Sequence, residues 1–107
     1  MTKLIVLFKL IDEQRRPEYE AWARSTDLPI VRGLSSVTGF EVHRAEGLLG
    51  SDERPPYDYV EIIDIGSLDR FGEEVATDTM QQVASEFRGF AANPVFILTG
   101  NLEGEAS

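Results

Sequence analysis

The segment KLIVLFKLI, residues 3–11, is dense in β-branched and large apolar residues and is short. That combination predicts a buried strand rather than a helix. DEQRR closes it, and Pro17 is suited to the first turn of a helix. From there Tyr19, Trp22, Ala23 and Thr26 fall at i, i+3, i+4 and i+7, one helical stripe. Asp27, Pro29 and Gly33 interrupt it, so DLPIVRGL reads as a linker or a short turn of helix, with Asp27 making a turn contact. In VTGFEVHRAEG (37–47), Phe40, Val42 and Arg44 alternate against Glu41, His43 and Ala45, a half-buried strand. PPYDYVEIIDIG (55–66) also alternates, with Tyr57, Tyr59, Glu61, Ile63 and Ile65 on one face. Ser67 is a helix N-cap, and Leu68, Phe71, Val75, Thr79, Val83, Phe87 and Phe90 continue at helical spacing up to Asn93-Pro94. VFILTGNL (95–102) is a last strand.

The order β-α-β-β-α-β predicts an α+β, ferredoxin-like fold: a four-stranded antiparallel sheet with two helices on one face. Residues 1–102 form one domain and 103–107 a flexible acidic tail. The first, third and last strands are apolar on both sides, yet two helices cover only one face. The other face predicts a second subunit, a homodimer packed sheet to sheet as a dimeric α+β barrel.

Composition narrows the partners. Ten basic residues against 19 acidic ones give a formal charge of −9, which argues against nonspecific nucleic-acid binding and against anionic lipid. The absence of cysteine excludes disulfides and thiolate chemistry. No apolar run approaches the roughly 20 residues that span a bilayer. The first ten residues have no small-residue cleavage site and read as a strand rather than a signal peptide, giving a cytoplasmic address.

The candidate chemistry starts from Glu61, a carboxylate in the middle of a core-like strand face, costly to bury unpaired. The chain's one histidine, His43, lies on the preceding strand. In an antiparallel pairing it falls opposite Glu61 or, two places away, opposite Tyr59; either register puts the three on one face, and a one-residue slip does not. His43 and Glu61 then either satisfy each other or serve as proton acceptor and donor, with Tyr59 orienting a polar substrate atom. Tyr19, Trp22, Phe71, Met80 and Phe87 are ordinary core or the wall of an aromatic pocket. One histidine and no cysteine make no zinc or haem constellation, and neither a phosphate loop nor a dinucleotide fingerprint occurs. The expected chemistry is cofactor-independent, with no metal ligand assigned and a carboxylate-rich metal site left open as the alternative.

Together MTKLIVLFKL, YEAWARSTDLPIVRGLSSVTGFEVHR, PPYDYVEIIDI and FAANPVFILTGNL resemble the REDY-like HapK family of the dimeric α+β barrel superfamily, over nearly the whole chain. STDLPIVRGL and YDYVEIIDI are the most specific parts. The resemblance implies a homodimer and an apolar aromatic small molecule from prodigiosin-type or bisindole secondary metabolism. It implies a cofactor-independent cyclase or isomerase with acid–base residues in the pocket between sheet and helices. His43 and Glu61 as that acid–base pair rest on the strand pairing, and Tyr59, Trp22, Tyr19, Phe71 and Met80 as substrate-binding residues rest on the strand and helix patterns. A non-catalytic binding dimer and a cofactor-free monooxygenase are the alternatives.

Overall fold

A computed structural model describes residues 2–104. Strands β1 (Thr2–Leu10), β2 (Val37–Arg44), β3 (Tyr59–Ile65) and β4 (Ala91–Gly100) form one antiparallel sheet in the order β2-β3-β1-β4. Helices α1 (Arg16–Trp22) and α2 (Leu28–Arg32) follow β1; α3 (Leu68–Val75) and α4 (Asp78–Phe90) follow β3. This is the ferredoxin-like α+β arrangement. The tail is described as far as Gly104, where Asn101 Oδ1 accepts from the Glu103 and Gly104 amides; residues 105–107 lie outside the described residues.

The period-two patterns set the layers. Val6, Phe8 and Leu10 of β1 and Tyr59, Glu61, Ile63 and Ile65 of β3 point into the helix layer and are buried. Phe8 belongs to an aromatic cluster, edge-on to Tyr19 (5.4 Å) and Phe87 (4.9 Å) and stacked on Tyr59 (5.5 Å). On the opposite face Ile5 pairs with both Ile62 and Ile97, and Leu7 with both Val60 and Val95. No helix among the described residues covers that apolar row.

Two boundaries differ from the sequence expectation, and one alternative is resolved. DLPIVRGL holds the short turn of helix, α2, which α1 reaches through a π-turn, Ala23–Asp27. Pro29 explains the turn: it has no N–H for the Ser25 carbonyl, and its ring crowds that carbonyl. The Leu28 amide instead bonds back five residues to the Ala23 carbonyl, and the helix restarts. The second helix is broken between Val75 and Asp78 because Thr77 begins a new one, its hydroxyl accepting from the Met80 amide. It ends at Phe90, before Asn93-Pro94, which instead form an irregularity within β4 where Asn93 has φ 48°.

The β2–β3 register corrects the expected His43–Glu61 pair. Val42, not His43, lies opposite Glu61, while His43 is opposite Val60 on the outer face. Val37, Phe40 and Val42 supply the apolar side of β2, and an irregularity between Val37 and Gly39 brings them all inward. A Cβ at Gly39 would sit 2.8 Å from Asp64 Oδ2, the end of a flexible side chain, which would have to shift.

Candidate functional site

A cavity of about 370 Å³ lies between the sheet and the helices. Its walls are mostly apolar: Val6 and Ile63 from the sheet, Phe71 from α3, Met80 and Phe87 from α4, and Phe96 from β4. Two carboxyl side chains enter this apolar space, Glu61 from β3 and Asp27 from the π-turn. Both residues are only 5% exposed.

Neither carboxyl is neutralised by a cation among the described residues. Glu61 Oε2 accepts one long hydrogen bond, 3.4 Å, from the Tyr19 hydroxyl. Asp27 has no side-chain hydrogen bond at all among the described residues. Burial therefore favours the protonated form of each. The Glu61 carboxyl is pushed up to about 8, first by burial and then by the Asp27 charge. Burial pushes Asp27 up to about 7. Burial and the nearby Glu61 charge also hold the Tyr19 phenol well above its ordinary value, so it remains a donor. Two proton-bearing carboxyls facing an apolar cavity can give or take a proton near neutral pH.

The residues expected at the site divide. Glu61, Phe71 and Met80 line the cavity, and Tyr19 reaches it through Glu61. His43 does not: it is exposed, and its Nε2 lies 2.8 Å from Glu41 Oε1, two residues along the same outer face. Trp22 does not line it either; its Nε1 donates to Glu86 Oε1 at 2.7 Å while the ring packs on Phe90. Tyr59 keeps its ring in the core but turns its hydroxyl away, donating to Glu20 Oε2 (2.6 Å) and accepting from Arg16 Nη1 (3.0 Å).

That second polar cluster borders a recess of about 100 Å³ lined by Tyr19, Glu20, Arg44 and Tyr59 among others. Arg44 grips Glu20 with two hydrogen bonds, of 2.7 and 2.6 Å, and holds its carboxyl down to about 2. A carboxylate so firmly ionised and paired fastens α1 to β2 and is poorly suited to exchanging protons. Among the described residues no three His, Asp or Glu side chains converge as a metal centre requires, and no helix is long and apolar enough to cross a membrane.

Asp27 is the site residue that sequence reasoning misses, because a turn contact accounts for it locally. A signal for it exists: Tyr19, Ala23, Asp27 and Val31 recur at intervals of four, and all are buried. The π-turn keeps that row facing the sheet despite Pro29.

The model of the REDY-like protein HapK family matches residues 2–102. The crystal structure of HapK from Hahella chejuensis is 28% identical, covers 95% of this chain and 93% of that one, and superposes with a TM-score of 0.78. SnoaB, a cofactor-independent oxygenase from Streptomyces nogalater whose structure is that of a point mutant, is 14% identical with a TM-score of 0.72, covering 99% of this chain and 97% of that one. A dimeric protein of unknown function and ferredoxin-like fold from Bacteroides fragilis is 16% identical with a TM-score of 0.66, covering 94% and 95%. At those last two identities the likeness is one of fold. No curated protein matches the chain.

Proposed function

The chain belongs to the REDY-like HapK family, and we propose that its cavity performs cofactor-independent acid–base chemistry, a cyclisation or isomerisation of an aromatic small molecule. The observation that carries this reading is the Asp27–Glu61 pair, buried in a mostly apolar cavity with no ion-pair partner for either carboxyl among the described residues. Glu61, holding its proton near neutral pH, is the general acid that protonates an electrophilic atom of the substrate. Asp27, once ionised, takes the proton that the substrate releases as its conjugation is restored. Tyr19 orients Glu61 through its hydroxyl. Phe71, Met80 and Phe87 hold the ring system and exclude water. The substrate class, a precursor of a prodigiosin-type or bisindole metabolite, rests on family membership.

The working unit is a homodimer in this reading. The uncovered row of Ile5, Leu7, Ile62 and Ile97 is the supporting feature, together with the dimeric neighbour of the same fold. Conversion of a candidate precursor by the wild type, compared with Glu61→Gln and Asp27→Asn, tests the chemistry. Loss of product in both variants, with binding retained, supports it. Undiminished turnover in both removes the mechanism, and binding without product in the wild type points to a carrier.

A further inference from the structure

Arg88 differs from every other arginine of the chain. The others are held by carboxylates, by the Phe40 carbonyl or by the Ser35 hydroxyl. The Arg88 side chain has no ion pair or hydrogen bond among the described residues, although the chain has 19 acidic against 10 basic residues. It is also out of place in the amphipathic pattern. Met80, Val83, Ala84 and Phe87 form the cavity-facing stripe of α4, and Arg88 continues it at i+8, where another apolar residue would be expected. It lines the cavity, as do Pro94 and Phe96 of β4, yet is exposed, which puts it at the rim.

An unpaired guanidinium above an aromatic-walled cavity matches a flat anion, which it can bind through two parallel hydrogen bonds. We propose that Arg88 is a specificity-determining residue that takes the carboxylate of an aromatic acid at the mouth of the cavity. The ligand's ring system then lies among Phe71, Met80 and Phe87, and the Asp27–Glu61 pair faces its buried end. The pair is compatible with an anion, because burial favours the neutral form of both carboxyls. The proposal rests on the cavity being the ligand site, and it adds the charge and orientation of what enters.

The test is calorimetric titration of the full chain at pH 6.5 with 2-naphthoate and with 2-naphthamide, which share a ring system and differ in charge. Wild type is expected to prefer the acid by about 10-fold, the range of one charge-assisted pair. Arg88→Gln is expected to abolish the preference while leaving the amide's affinity unchanged, and Arg88→Lys to restore part of it. A role confined to the helix dipole shifts thermal stability and leaves the preference in place. A preference that persists in Arg88→Gln, or its absence in wild type with both probes bound, overturns the role of Arg88 alone. Failure of both probes to bind wild type overturns the cavity as the ligand site as well.

Discussion

Glu61 and Asp27 face one cavity from opposite layers, Glu61 from the central strand β3 and Asp27 from a π-turn in the helix layer. Each is paired with no cation among the described residues, and the Asp27 charge further raises the proton affinity of Glu61. The arrangement disfavours the ionised state of both groups and leaves their protons available to a ligand.

This makes folding stability depend on pH in a definite direction. Glu61 binds its proton more tightly in the folded chain than in the unfolded one. The stability it contributes is therefore complete below about pH 4.5 and is lost as pH rises through about 8. Thermal melts of wild type between pH 5 and pH 8.5 should show this decline, and Glu61→Gln should flatten it. Parallel profiles for the two proteins would contradict it.

Asp27→Leu should stabilise the protein at pH 8, by about 1–2 kcal/mol, because an unpaired carboxyl leaves an apolar space. Chemical denaturation measures the change. A structural role for Asp27 predicts the opposite sign, a clear loss of stability.

The strand and helix order is legible from periodicity, and so is the burial of Glu61 between Tyr59 and Ile63. Legibility ends where local pattern underdetermines geometry. Alternation identifies which residues of β2 share a face, but the phase of β2 against β3 depends on the irregularity at Gly39 and on Phe40 and Val42 reaching the core. Without that irregularity the register set by Val37 and Ile65 would put His43 opposite Tyr59, on the same face as Glu61. Pro29 reads as a helix stop, whereas a π-turn absorbs it and carries Asp27 to the cavity. Two residues that meet only through the tertiary fold leave no spacing motif to find.

His43→Ala should leave the protonation of Glu61 unchanged, since His43 pairs with Glu41 on the outer face. The pH profile of thermal stability checks this. A profile altered as strongly as that of Glu61→Gln would restore the histidine to the site.

Ile97→Asp places a charge in the uncovered apolar row of the sheet. Light scattering at micromolar concentration should show a dimer for wild type and a monomer for the variant. A monomeric wild type, or a variant that remains dimeric, would contradict the sheet-to-sheet assembly.

The central claim, that Glu61 carries a proton near neutral pH in a ligand-accessible cavity, is tested most directly by carboxyl-carbon NMR titration of ¹³C-labelled protein. The Glu61 resonance should titrate far above the ordinary carboxylate range, toward 8. Asp27→Asn should move that midpoint downward by removing the neighbouring charge. A wild-type midpoint near 4.5 would mean an ordinary ionised carboxylate and would contradict the account.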